Sequence, residues 1–92
     1  MKNRKHVNRE KLVNALELPK DLLLGMPYLT MNGNRELLIE NHRGILTYSD
    51  RQMVVLTKSY QIEITGKELY VEYYTADLMK IQGQMDGIAF HP

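Results

Sequence analysis

The densest group of side chains with chemical potential is the run Glu40-Asn41-His42-Arg43-Gly44. Glu40 and His42 have the residue types of an acid/base pair, and Arg43 has the charge to hold an anion. The run is also typical of a tight turn between strands, because Asn41 and Gly44 tolerate unusual backbone angles. We favour the turn, which makes Gly44 important for stability and His42 dispensable for it. The candidate interaction residues in this run are Glu40, Asn41, His42 and Arg43.

The sequence contains none of the common motifs for metal binding, nucleophilic catalysis or nucleotide binding. The chain has three histidines, none of them four residues from another, and no cysteine, so the converging ligands of a zinc site are not predicted. No nucleophile elbow, phosphate-binding loop or dinucleotide fingerprint occurs. We therefore predict no catalytic residues, no cofactor and no metal, which is the pattern of a protein that is not an enzyme.

The charge of the chain is divided unevenly. The first eleven residues hold five basic side chains and one acidic one, a charge of +4, and the remaining 81 residues hold −3. Residues 1–7 are predicted to form a flexible basic arm. Such an arm, together with Tyr70, Tyr73 and Tyr74, suggests a small nucleic-acid-binding module as the alternative function. The acidic neighbours of these tyrosines repel phosphate, so nucleic acid is the less favoured partner.

Size and helical spacing give the domain organisation. A chain of 92 residues is too short to divide, so residues 8–92 are predicted to form one domain. Leu12, Ala15 and Leu16 have helical spacing, which predicts a short helical segment over residues 8–25. The sequence has no run of 18 apolar residues, so no membrane span is predicted. The lack of cysteine suits a cytoplasmic protein.

Short apolar segments separated by turn residues fill the rest of the chain. After a first strand at Tyr28–Met31, they start roughly every eight residues, as in all-β domains. The starts are near Leu37, Ile45, Met53, Tyr60, Leu69, Met79 and Ile88. The connections are too short for parallel crossovers, which predicts an antiparallel meander, a roll or a two-layer sheet. The regular spacing also permits a short β-solenoid.

Turn glycines and alternating residues fix the details of these strands. Structural turns are predicted at three glycines: Gly33, Gly44 and Gly66. Residues 60–65 alternate cleanly between apolar and polar. The same alternation from Leu69 to Tyr74 places Tyr70 and Tyr74 on one face and Tyr73 on the other.

Four consecutive apolar residues, Met53 to Leu56, indicate a strand that is covered on both faces. One small domain covers a single face readily, so the second face needs the helical segment or another subunit. We therefore predict a homo-oligomer or a complex with a membrane-bound partner, with Val54 and Leu56 as candidate interaction residues.

Several segments resemble the YabP/YqfC family of endospore-formation proteins, most closely its YqfC branch. The resemblance covers about residues 10–90. Its most specific piece is the Glu-Asn-His-Arg-Gly-Ile run. The segments that carry it are Glu17-Leu-Pro-Lys-Asp21, Asn34, Ile39–Ile45, Ile64-Thr-Gly66 with Leu69 and Val71, and Ile81–Ile88.

The resemblance implies a small non-enzymatic protein that is needed for sporulation and acts in the cytoplasm of the mother cell. It also implies a partnership with the membrane protein YqfD, which would bring this protein to a membrane. The family has no established catalytic residues, so the resemblance assigns none here.

Overall fold

The computed structural model describes residues 25–92. They form six strands: β1 (Tyr28–Asn32), β2 (Glu36–Glu40), β3 (Gly44–Tyr48), β4 (Gln52–Leu56), β5 (Gln61–Tyr74) and β6 (Leu78–His91). This part of the chain contains no helix. The arm predicted for residues 1–7 lies outside the described residues, and so does the helical segment predicted for 8–25, except for its last residue.

The six strands form one sheet in the order β1-β2-β6-β5-β4-β3. Every neighbouring pair is antiparallel, which confirms the prediction of a mainly β, antiparallel protein. A short β-solenoid is excluded, because its strands pair in parallel. The order does not close on itself, so β1 and β3 are edge strands within the described residues.

The long hairpin of β5 and β6 is the main difference from the sequence prediction. Each strand has 14 residues where the sequence predicts two shorter strands. Gly66, predicted as a turn, lies inside β5 and pairs with Met85, next to shifts in strand register. Bulges and turns use the same residue types, so the sequence did not distinguish an interrupted strand from two strands.

The hairpin is shared between two half-sheets. β2 pairs with residues 78–82 of β6, and β4 pairs with residues 61–65 of β5. The first half-sheet therefore consists of β1, β2, the first half of β6 and the second half of β5. The second half-sheet consists of β3, β4, the first half of β5 and the second half of β6.

Both half-sheets bury one face in the same hydrophobic core. Leu37 and Ile39 of β2, like Met53 and Val55 of β4, have no exposed surface, although two strands separate β2 from β4. An open flat sheet would leave that face in water, so the sheet folds over into two layers. The core residues are Leu37, Ile39, Met53, Val55, Ile62, Ile64, Leu69, Met79, Ile81 and Met85.

The sheet bends from one layer into the other at the point where the backbones of β5 and β6 approach each other most closely. We call this point the crossing. A Cβ atom on Gly66 would collide with the carbonyl oxygen of Gln84. Gly83 has a φ of +137° and lies against the backbone of Glu68, which itself has a left-handed φ of 54°. Only glycine combines this conformation with so close an approach.

The two N-terminal hairpins repeat one arrangement. β3 begins sixteen residues after β1, and β4 begins sixteen residues after β2, with the same burial patterns. The turns that follow β4 and β5 also match: the Thr57 N–H donates to the Tyr60 carbonyl at 3.0 Å, and the Thr75 N–H donates to the Leu78 carbonyl at 2.7 Å. The two half-sheets are therefore internal structural repeats of each other.

Substitution of Gly83 tests the crossing. Gly83→Ala should lower the free energy of unfolding by about 3 kcal/mol, because its Cβ would lie 2.6 Å from the Glu68 carbonyl oxygen in a strained conformation. Gly33→Ala is the matched control, since Gly33 also has a positive φ but nothing lies within 4 Å of an added Cβ. It should cost about 1 kcal/mol. Equal costs in urea unfolding would contradict the steric explanation.

Candidate functional site

His42 closes the corner where the β2–β3 connection meets the β5–β6 connection. Its Nε2 lies 2.9 Å from the Thr75 carbonyl oxygen, and its Nδ1 accepts the Gly44 N–H at 3.0 Å. A neutral ring with its proton on Nε2 satisfies both partners. The ring also packs against that of Tyr74, with the centroids 4.9 Å apart. His42 is only 3% exposed, so this corner is part of the scaffold.

The burial of His42 changes what we expect of two predictions made from the sequence. Its side chain is only 3% exposed, which leaves little surface for a partner, and its removal should lower stability, because two backbone groups would lose their hydrogen bonds. It also forms no acid/base pair with Glu40, since both ring nitrogens bond elsewhere. The sequence did not predict this burial, because the neighbours of His42 are two polar residues, Asn41 and Arg43.

The neighbours of His42 are placed as a turn requires. Asn41 has a φ of 66° and Gly44 a φ of 123°. The Asn41 N–H donates to the Asp77 carbonyl at 2.6 Å, and the Arg43 N–H donates to the Leu56 carbonyl at 2.7 Å. The Arg43 side chain is exposed, and Glu40 is half-buried at the end of β2. Arg43 is the member of the run that a partner can reach most freely.

A cavity of about 240 Å³ opens beside this corner. It is lined by Gly25, Asn41, His42, Arg43, Ala76 and Asp77. Among residues 25–92, no three histidine or carboxylate side chains lie close enough together to hold a metal ion. The charged groups that a ligand would meet in this cavity are therefore the guanidinium of Arg43 and the carboxylate of Asp77. The imidazole of His42 lies between them, but both of its nitrogens are already hydrogen-bonded.

The outer surface of the first half-sheet, which we call the tyrosine face, carries exposed aromatic rings. Tyr70 pairs with Gln82 and Tyr73 with Lys80, on either side of a register shift at Glu72. This bulge adds one residue, so Tyr73 joins Tyr70 on the outer face and Tyr74 turns towards His42. Simple alternation predicts the opposite faces for Tyr73 and Tyr74 and is wrong here, because a bulge shifts the residues that follow it by one position.

Strands β1 and β2 complete the tyrosine face beside β5 and β6. Tyr70 is 50% exposed and Tyr73 is 42% exposed. A groove of about 130 Å³ lies beside Tyr73. The face consists of Tyr28, Thr30, Asn32, Glu36, Leu38, Glu40, Tyr70, Glu72, Tyr73, Leu78, Lys80 and Gln82.

Lys80 is the one basic side chain in this set, and it lies between two carboxylates. Its Nζ is 3.6 Å from Glu36 and 3.5 Å from Glu72. Burial acts to lower the pKa of Lys80, but the two carboxylates outweigh it and raise that pKa. Glu72 also accepts a hydrogen bond from Gln82. With Glu36, Glu40 and Glu72 against Lys80, the tyrosine face has a net charge of −2.

The outer surface of the second half-sheet, which we call the β4 face, carries Val54 and Leu56, both half-buried. Glu63 lies across from Val54 and accepts hydrogen bonds from Gln52 at 2.6 Å and from the His91 ring at 2.9 Å. The bonds from His91 and Gln52 lower the pKa of Glu63. The two apolar residues predicted to interact therefore lie on the opposite side of the molecule from the tyrosine face.

Comparison with known proteins identifies relatives of this chain. The model of the YabP family matches residues 25–92. The uncharacterized protein YqfC of Bacillus subtilis (strain 168) is 31% identical over 90 residues, which cover 98% of this chain and 97% of that protein. No solved structure matches significantly. Within the described residues, no helix is long and apolar enough to cross a membrane.

A pair of neighbouring substitutions separates scaffold from surface at the corner. His42→Ala should lower the free energy of unfolding by about 2–3 kcal/mol, because it leaves the Thr75 carbonyl and the Gly44 N–H without their partners. Arg43→Ala removes an exposed side chain and should change stability by less than about 0.5 kcal/mol. Urea unfolding followed by circular dichroism measures both. An unchanged stability of His42→Ala would contradict the structural role.

Proposed function

Because this chain belongs to the YabP family, we propose that it is a non-enzymatic protein of endospore formation that acts by binding another protein. The part in spore formation comes from the resemblance of the Glu-Asn-His-Arg-Gly-Ile run and its companion segments to the family. The binding role rests on one structural observation, the tyrosine face.

The tyrosine face has the composition of a protein-binding surface. Tyr70 and Tyr73 present large apolar rings with polar tips, and such side chains are enriched at the centres of protein interfaces. Leu38 and Leu78 lie beside them on the same face, and Lys80 with its two carboxylates supplies polar groups around them. A partner that covers the rings would remove apolar surface from water while the charged groups stay hydrogen-bonded.

The partner we propose is the membrane protein YqfD, which the family resemblance implies. Contact with YqfD would hold this chain at a membrane of the mother cell. We propose the tyrosine face as the contact with YqfD. The β4 face, with Val54 and Leu56, would then serve the proposed association between copies of this chain.

The alternative of a nucleic-acid-binding module has less support. Aromatic rings bind single strands when basic side chains surround them and neutralise phosphate. Around Tyr70 and Tyr73 the carboxylates of Glu36, Glu68 and Glu72 outnumber the cations of Arg35 and Lys80, and Lys80 is already paired with two carboxylates. These carboxylates would repel a nucleic acid backbone.

The two faces can be tested with matched double variants. Tyr70→Ser with Tyr73→Ser should weaken capture of co-expressed YqfD at least about tenfold, because tyrosine is enriched among the few interface residues whose truncation costs about 2 kcal/mol or more. Val54→Ser with Leu56→Ser should leave this capture intact and shift the protein to monomers in light scattering. Sporulation efficiency and melting temperature are measured for both.

The opposite pattern would place the partner on the β4 face. If both double variants keep their fold, capture YqfD and sporulate normally, the proposed interaction surface is wrong. A monomer in the unsubstituted protein at all micromolar concentrations would remove the proposed self-association.

A further inference from the structure

The described part of the chain has a negatively charged face and the remaining part has a strongly basic end. The tyrosine face carries −2, and the first eleven residues carry +4. The β4 face is a poorer match, because Glu63 is its one carboxylate and is already bonded to His91 and Gln52. Exposed aromatic rings also attract Lys and Arg side chains over their faces. Charge and aromatic content therefore both favour the tyrosine face as the surface for the basic end.

The chain enters the described structure at one end of this face. The side-chain amide of Asn41 donates to the Met26 carbonyl at 2.9 Å, which fixes the position of the chain just before β1. Tyr28, the first residue of β1, is paired with Glu40 at the edge of the tyrosine face. Residues 1–24 therefore join the described chain at Gly25, which lies at the corner beside Asn41 and the Lys58 side chain, three residues before Tyr28.

The length of this segment is sufficient for it to reach every part of the face. The five residues of β1 span roughly 13 Å, and the four strands from β1 to β5 span roughly 14 Å. Residues 12–24 cover about 20 Å at a helical rise of 1.5 Å per residue and about 40 Å when extended, and the extended length also covers the three residues between Gly25 and the face. Residues 1–11 can therefore be placed over Tyr70 and Tyr73 from the same chain.

We propose that residues 1–11 bind the tyrosine face of their own chain, with basic side chains against the rings of Tyr70 and Tyr73 and the carboxylates of Glu36 and Glu72. The arm then occupies the surface proposed above for the partner, and the partner must displace it. The competition rests on the proposed function, whereas the binding of the arm does not.

The internal repeat provides a matched pair of positions for the test. Thr30 and Thr47 are exposed threonines on the two edge strands, opposite Leu38 on the tyrosine face and opposite Val54 on the β4 face. The chain has no cysteine, so each engineered pair is unique. The full chain carries Asn3→Cys, which keeps every basic residue, together with Thr30→Cys or Thr47→Cys.

A short bis-maleimide should crosslink residue 3 to position 30 within one chain at least roughly fivefold faster than to position 47 at low salt. The preference should fall towards equal rates in about 0.5 M NaCl, because exposed charges are screened. Equal rates at low salt, or crosslinks between chains that depend on protein concentration, would overturn the proposal.

Charge substitutions supply the second control. Glu36→Gln with Glu72→Gln leaves Glu40 against Lys80, so the tyrosine face loses its net negative charge, and the preference for position 30 should disappear. Glu63→Gln changes one carboxylate on the β4 face and should leave the preference intact. A preference that survives Glu36→Gln with Glu72→Gln would contradict the electrostatic basis of the proposal.

Removal of residues 1–11 separates the competition from the proposed function. The shortened chain should capture the partner roughly fivefold more tightly, because the face is no longer occupied. Weaker capture would mean that the arm assists binding, which overturns the competition. If the partner never binds, the proposed function fails, and the crosslinking result still decides whether the arm occupies the face.

Discussion

The structure depends on a steric constraint at one point of the β5–β6 hairpin. At Gly66 and Gly83 the two strands approach so closely that a single added carbon atom collides with backbone. This approach lets one hairpin belong to both layers, so β2 pairs with one end and β4 with the other. The core, the two outer faces and the corner at His42 all follow from that division. A chain that lost the crossing would keep its hairpins but lose the second layer of the core.

The crossing is held in place by the turns of the two smaller hairpins. The N–H of Gly66 donates to the carbonyl of Arg51 at 3.0 Å, and the N–H of Gly83 donates to that of Arg35 at 3.2 Å. These bonds satisfy backbone groups that the bend removes from the ladder between β5 and β6. The same bonds connect the bend to both edges of the sheet, so the positions of the two outer faces are coupled to it.

The sequence predicted the class of the fold well, because strand alternation is a local signal. The alternation of residues 60–65 predicts one buried face, and the two isoleucines on that face, Ile62 and Ile64, are completely buried. What escaped prediction depends on the pairing of distant residues. The bulge at Glu72 moves Tyr73 to the outer face, and the Thr75 carbonyl that buries His42 comes from 33 residues away. Neither the bulge nor this long-range hydrogen bond can be recognised from the residues that neighbour Glu72 or His42 in the sequence.

The topology also determines when each strand finds its partner during synthesis. β1 with β2 and β3 with β4 form from neighbouring residues, but the second neighbour of β2 is the first half of β6, about forty residues later in the chain. Leu37 and Ile39 are therefore expected to stay uncovered until β6 has left the ribosome. The hairpin of β1 and β2, although made before β6, should become stable only when β6 arrives, and the chain should be most prone to aggregation before that point.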